Sequence, residues 1–395
     1  MSRRKKVLVH VVSMTNTFIL FFLTTWLWSL PWFAGDEKLM IWTTSAIKFN
    51  FREIPDSKDY ALINVSYDLS LIEKYDEMGF PIGNQVITDR EKLTRLFSII
   101  NHSSKKPRYI LCDIFFEEPT EYDESLSNEM TGMDNLIISY HLDDNLQPRI
   151  PVTSEVNRGL TDYVIGNVFE GVYKFQLFYT DSLRMTPLII YNDLQDTDSR
   201  KYGAFVNAGG WWTLNHFIMN YRLLQVDVMN QQAGFNPVNL GELLTLPDED
   251  VAEYLSNKLV VIGDFYEIDL HETIFEITSG PIILLNVYWS LLNQDTKINI
   301  FFFLIILGSF YFLSFLAIFP EDLIEKYIKK RYGKIKWVQS LTSFVSYLVF
   351  LIIISTFTFF VYNVHLNVFI LAVYLFILEK VSNFLNKKRF SKSQV

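Results

Sequence analysis

Lys258-Leu-Val-Val-Ile-Gly263 is the stretch on which the fold turns. A short apolar run closing on a glycine predicts a strand. Two upstream segments read the same way, Tyr60-Ala-Leu-Ile-Asn-Val-Ser66 and Arg108-Tyr-Ile-Leu-Cys-Asp113, and 135–141 gives a further candidate. Between the first two, Leu93, Leu96, Phe97 and Ile100 recur at helical spacing. Thr88 stands as the expected cap, with Glu91 three positions on. Downstream, 282–292 reads as a helix running towards a membrane segment. Strands alternating with helices predict an α/β domain with a mixed, largely parallel sheet. The middle, about 163–225, is richer in short strands and turns, and 35–58 reads as a mixed linker.

Further outward lie the membrane segments. A bilayer core of ~30 Å needs about 20 apolar residues in a helix. Four segments meet this: 11–33, 298–319, 340–362 and 366–385. Trp26, Trp28 and Trp32 form an interfacial belt at the end of the first. A cleavable leader is the competing reading of that segment, but Pro31-Trp32-Phe33-Ala34 is bulky where a cleavage site needs small residues. An uncleaved anchor is therefore expected. Arg3–Lys6, the loop around Lys326–Lys336 and the tail Lys387–Lys392 are the basic segments, and the positive-inside rule puts them all in the cytoplasm. Only an even number of spans satisfies this. The expected layout is 1–10 cytoplasmic, 34–297 extracytoplasmic, 320–339 a cytoplasmic loop and 386–395 a cytoplasmic tail. The extracytoplasmic part is periplasmic or extracellular.

The composition agrees. The 395 residues are 50 % hydrophobic and 16 % aromatic, and the net charge of −9 hides a basic pair of ends around an acidic centre. An acidic ectodomain argues against nucleic acid or an anionic membrane surface as its main partner. Cys112 is the single cysteine, which rules out an internal disulfide and a cysteine-based metal cluster. The spans carry no charge at their centres; only Glu379 and Lys380 approach an inner end, placed to snorkel or pair. This marks down a transporter component, the third functional reading.

The order of motifs resembles the CHASE type 2 domain, a bacterial extracellular sensory module of receptor kinases and nucleotide cyclases. Cys112-Asp-Ile-Phe-Phe-Glu-Glu-Pro119 is similar to the family's strand ending in Asp-Ile-x-Phe-x-Glu-Pro. Phe217-Ile-Met-Asn-Tyr-Arg222 is similar to its Ile-Asn-Tyr-Arg-Gly segment, with Leu223 in place of the glycine. Asn239-Leu-Gly-Glu-Leu-Leu244, Asn257–Gly263, Asp269, Thr273, Gly280 and Asn286 follow the order of its ending. The resemblance covers about 58–293, and the family's usual layout of one span before and three after fits. Departures are Ile274 where the family has proline, and the missing Asp-Gly-x-x-Arg turn after Gly166-Asn-Val. The sequence ends ten residues after Leu385, so the resemblance carries over a sensor and not an output enzyme.

Candidate site residues follow from strand ends. Asp113, Glu117 and Glu118 follow a strand, where acids at the carboxyl edge of a parallel sheet can face a ligand crevice; otherwise they are a loop cap and solvated surface. Asp68, after the first strand, could face the same crevice. Asp269, His271 and Glu272 could serve as a general base or metal ligands, or be plain surface; metal binding is not expected. Thr273 joins the ligand-binding candidates through the motif. Arg222, if buried, needs a carboxylate, and a structural ion pair is the simpler role. Gly263 lacks the second glycine or Lys-Ser/Thr of a nucleotide loop, so no cofactor is expected. Trp211 and Trp212 could stack on a ligand or pack in the core. The ectodomain histidines, His102, His141, His216 and His271, adjoin no nucleophile motif.

The expected function is a non-catalytic sensory or scaffolding membrane subunit. It would bind an envelope ligand or protein outside the cytoplasm and act through a membrane or cytoplasmic output protein; a homo-oligomer is a further option. The alternative is an extracytoplasmic enzyme using the acids near Asp113 and Asp269.

Overall fold

The computed structural model describes residues 3–30, 36–75, 78–153, 156–162, 171–318 and 336–392. The Gly166-Asn-Val departure, Trp32, the 31–34 cleavage question and most of the 320–339 loop lie outside them.

Among the described residues, six strands build the central sheet, in spatial order β12, β1, β13, β4, β5, β6. They are β1 (Tyr60–Asn64), β4 (Tyr109–Asp113), β5 (Leu136–Tyr140), β6 (Arg158–Leu160), β12 (Val238–Asn239) and β13 (Leu259–Gly263), and every pairing is parallel. Side chains alternate across such a sheet. In β4, Ile110 and Cys112 face one apolar cluster while Tyr109 and Leu111 face another. Both faces are thus buried, as a parallel sheet requires. On one face lie α3 (Arg90–His102), α4 (Asp123–Met130), α7 (Leu240–Leu243) and α8 (Asp248–Leu255). On the other lie α5 (Thr186–Gln195) and α9 (Gly280–Leu292). The cap of α3 is Asp89, whose carboxylate accepts from the Lys92 N–H at 3.1 Å, and not Thr88. Asp89 is the stronger acceptor at the positive end of a helix.

The register aligns the carboxyl ends. Asn64 pairs with Gly263, and Gly263 with Asp113. A Cβ on Gly263 would sit 2.6 Å from the Pro281 ring, so α9 can begin against the sheet only if this position is glycine.

Short antiparallel sheets complete the domain: β2 (Leu69–Tyr75) with β3 (Pro81–Thr88), β7 (Lys174–Gln176) with β11 (His216–Ile218), β8 (Ser199–Tyr202) with β9 (Phe205–Ala208) and β10 (Trp211–Leu214), and β14 (Leu270–Glu272) with β15 (Ile277–Ser279); a short helix, α6 (Gln225–Met229), follows β11. The two tryptophans of β10 do not form a platform. Trp211 is buried and donates to the Tyr191 hydroxyl at 3.0 Å, whereas Trp212 points the other way onto Tyr202.

Among the described residues, four helices are long and apolar enough to cross a membrane: α1 (Arg3–Trp28), α10 (Ile300–Ile318), α11 (Lys336–Tyr362) and α12 (Val368–Lys392). They pack as a bundle flanking the α/β domain, one before it and three after, in a multi-pass membrane protein. Polar side chains lock the bundle. Asn16 donates to Ser314 at 2.8 Å and accepts from Tyr374 at 2.6 Å. Glu379 does not snorkel: it is buried and accepts from the Tyr347 hydroxyl at 2.9 Å. Lys380 lies over the Phe376 ring instead.

The predicted linker holds a helix, α2 (Glu37–Phe49). Its buried residues are Glu37, Ile41, Thr44 and Ser45. Glu37 pairs with Lys174 at 2.5 Å and accepts from Asn367 at 3.2 Å. Thr44 meets His365 at 2.8 Å, and Lys48 donates to Asn363. A polar inward face is the reverse of the usual surface helix, which is why the segment reads as a linker in sequence.

Candidate functional site

A crevice of about 510 Å³ opens at the carboxyl edge of the central sheet. That volume suits a small ligand, and the location is where open parallel sheets bind one. Four of the six strands deliver a polar residue as they end. β4 delivers Asp113, β5 is followed by His141, β6 by Thr161 and Asp162, and β13 by Asp264. Asp269, His271, Glu117 and Glu118 add to the lining, and Val65, Ile114, Phe115, Phe116 and Ile268 supply apolar wall. The β2–β3 hairpin overhangs one side through Leu69, Gln85, Val86, Ile87 and Thr88.

The charged groups hold one another. Asp113 accepts from the Ser139 hydroxyl at 2.6 Å. Burial and the negative Asp269 carboxylate raise its pKa, outweighing Ser139 and the two histidines. His141 Nδ1 contacts Asp162 at 2.7 Å, and the other Asp162 oxygen accepts from the Leu142 N–H at 2.8 Å. Burial disfavours the His141 cation, but Asp162, Asp113 and Asp269 more than offset it and lift its pKa. His271 Nε2 contacts Asp269 at 2.8 Å. Asp264 turns inward to close its own loop. It accepts from Ser66 at 2.5 Å and from the N–H groups of Tyr266, Glu267 and Ile268 at 2.8–2.9 Å. Burial opposes its charge, yet these donors hold it below the ordinary carboxylate range. Arg90 is the buried cation of the wall, paired with Asp123 beneath the Phe116 ring.

Of the residues expected from sequence, the crevice gathers Asp113, Glu117, Glu118, Asp269 and His271. Glu117 is ion-paired with Arg149, which also covers Phe115. The others lie elsewhere. Asp68 pairs with Lys92 at 2.6 Å and accepts from the Gly241 N–H at 3.0 Å, tying β1 to α7. Arg222 meets Asp295 at 2.8 and 3.0 Å on the membrane side of the domain. Thr273 donates to the Glu276 carbonyl at 2.6 Å within the β14–β15 turn. Glu272 sits exposed in β14. Sequence reasoning passed over His141, Asp162, Asp264 and Arg90. The first three share a legible signal, a polar residue within two positions of a parallel strand's end.

Among the described residues, no group of three or more His, Cys, Asp or Glu is placed to hold a metal ion. Cys112 points into the core, and burial pushes its thiol far up in pKa.

The motif residues outside the crevice support it from behind. A Cβ on Gly280 would fall 2.0 Å from an Asp269 carboxylate oxygen, so this glycine makes room for Asp269. Its N–H donates to the Asp269 carbonyl at 2.9 Å. Six residues on, the buried Asn286 accepts from the N–H groups of Arg222 and Leu223 at 2.7 and 3.1 Å. It also donates to the Leu223 carbonyl at 2.8 Å. These contacts run from the crevice through α9 to 220–223, where Asn220 accepts from Asn363 at 3.0 Å, in the loop joining α11 to α12.

Comparison with known proteins gives one match. The family model described as the CHASE2 domain matches residues 14–318, from inside α1 to the last residue of α10. This is wider than the 58–293 expected from motifs and takes in the flanking spans. No curated protein and no solved structure matches the chain. The match takes in the α/β domain together with most of α1 before it and α10 after it, and the chain belongs to the CHASE2 domain family.

Proposed function

We propose that this protein is a non-catalytic sensory membrane subunit whose carboxyl-edge crevice binds a small extracytoplasmic ligand and whose spans pass the bound state to a separate output protein. The observation that carries this reading is the crevice itself, where the acids Asp113, Asp162, Asp264, Asp269, Glu117 and Glu118 outnumber the basic His141, His271 and Arg90 between apolar walls. Such a lining favours a small organic cation with an apolar stem, such as an amine. A cation beside Asp113 would stabilise its ionised form and release its proton, so affinity rises as pH increases through about 7. The route from Asp269 through Gly280, Asn286 and Asn220 to Asn363 supports transmission to the spans. It is a contiguous set of packed and hydrogen-bonded groups, the kind of path that coupling uses.

The test is thermal unfolding of the full chain in nanodiscs against putrescine, spermidine and arginine. The reading expects at least one to raise Tm for the native protein and not for the Asp113→Asn/Asp269→Asn variant. No rise with any amine, or an equal rise in the variant, counts against it.

A second reading has its own observation. Asp113 and Asp269 lie in one crevice, and burial together with the Asp269 charge raises the pKa of Asp113, as in sites where a carboxyl serves as an acid. That reading requires a turnover that Asp113→Asn abolishes.

A further inference from the structure

The outward face of α2 is built for lipid. Leu39, Trp42, Ala46 and Ile47 are all exposed, Leu39 to 64 % and Trp42 to 55 %. Their spacing places them on one side of the helix. The charged residues of α2 are turned away from that side. Glu37 pairs with Lys174, Lys38 lies over the Tyr173 ring, and Lys48 donates to Asn363. The polar groups on the outward arc are satisfied within the helix: Thr43 donates to the Leu39 carbonyl at 2.9 Å and Asn50 to that of Ala46 at 3.1 Å. A helix facing water carries its charges outward; this one carries them inward.

Its position names the occupant. The Phe369 N–H donates to Asp36 at 2.9 Å, Asn367 donates to Glu37, His365 contacts Thr44, and Asn363 accepts from Lys48. Every one of these partners belongs to 363–369, the outer turn between α11 and α12 or the first residues of α12. This 13-residue helix is fixed at both ends to that one turn, at the same end of the bundle as the α/β domain. Its exposed face is therefore continuous with their lipid-facing surface, where Phe360, Val361 and Phe369 are also exposed.

We propose that α2 is an interfacial helix whose outward face is embedded in the outer leaflet. The partner is the bilayer at the boundary of headgroups and acyl chains, where amphipathic helices with Trp and Leu settle. Because the inward face of α2 grips both Lys174 of the sensory domain and the α11–α12 turn, the leaflet bears directly on the joint between sensor and spans. This goes beyond ligand binding in the crevice and does not depend on it.

The experiment uses the full chain in liposomes with a spin label at Leu39→Cys, Ala46→Cys or Ile47→Cys. Cys112 is fully buried and takes no label. Leu71→Cys, on the hairpin above the crevice, is the aqueous control. Relaxation by oxygen, which partitions into lipid, is compared with relaxation by a water-soluble nickel chelate. The oxygen-to-nickel ratio is expected to be several-fold higher at 39, 46 and 47 than at 71. Equal ratios at the helix and the hairpin overturn the proposal. Ala46→Cys is small for small and keeps the test open should a larger replacement unfold the helix.

Discussion

Replacing Glu37 with Gln removes the charge that neutralises Lys174 at the joint between the sensory domain and the bundle. The two side chains are 2 % and 6 % exposed and 2.5 Å apart, so the surviving ammonium would have no solvent to turn to. Breaking a buried pair by removing one partner costs about 3–5 kcal/mol, because the remaining buried charge loses its carboxylate counter-ion. Glutamine keeps the shape and can still accept from Asn367, so the loss reports charge and not packing. For a domain of this size each kcal/mol moves Tm by ~2–4 °C, which gives a fall of about 10 °C. The assay is thermal unfolding of the full chain in nanodiscs, followed by near-ultraviolet signal. Lys174→Met should cost about as much, by the same argument applied to a bare carboxylate. The double variant Glu37→Gln/Lys174→Met should recover most of the loss, since neither charge is then stranded. The reasoning is refuted if Glu37→Gln unfolds with the native protein, or if the double variant is as unstable as the sum of the singles.

The remaining predictions concern the crevice and its support. Asp113 binds its proton more tightly folded than unfolded, with its pKa raised to about 7, so between its ordinary value of 3.8 and about 7 the folded state holds more protons. Stability must then fall as pH rises through that window. Asp113→Asn, which can still accept from Ser139, should flatten the fall and unfold at a higher temperature than the native protein at pH 8; an unchanged pH profile would contradict this. His141, also raised, adds stability below pH 6.5 that disappears as pH climbs past its folded pKa, and His141→Gln should remove that contribution from the same profile. Asn286→Leu strands the N–H groups of Arg222 and Leu223 and should cost about 2–4 kcal/mol, measured as a Tm shift. Cys112 should resist maleimide in the folded protein and react only on unfolding, as mass spectrometry of labelled samples would show.

Much of the fold was legible because burial on both faces writes β1, β4, β5 and β13 as short apolar runs. Each lies within two residues of where its periodicity puts it. The spans were legible for the same reason, with ends moved by only a few residues apart from α1, whose apolar window starts earlier, at Lys6, and closes at Trp28. α2 was hidden because its outward face meets no water, so the usual polar signal is inverted. The β2–β3 hairpin was hidden because it buries almost nothing: Leu71, Ile82 and Val86 are all exposed. In the crevice, Asp113 and Asp269 came from strand ends and motif order. Asp162 follows a strand of three residues, too short to announce itself. Arg222 and Thr273 carry the motif but sit away from the crevice, since a conserved-looking polar residue can serve a turn or an ion pair as well as a ligand.

The most direct measurement of the central claim is a distance between spans while the crevice is filled. Spin labels at Phe22→Cys on α1 and Phe357→Cys on α11, both exposed on the bundle surface, report the arrangement of the spans in nanodiscs. With saturating spermidine, double electron–electron resonance should show a shifted distance distribution in the native background and none in the Asp113→Asn/Asp269→Asn background. An identical distribution with and without spermidine in the native background would contradict a crevice that signals through the membrane.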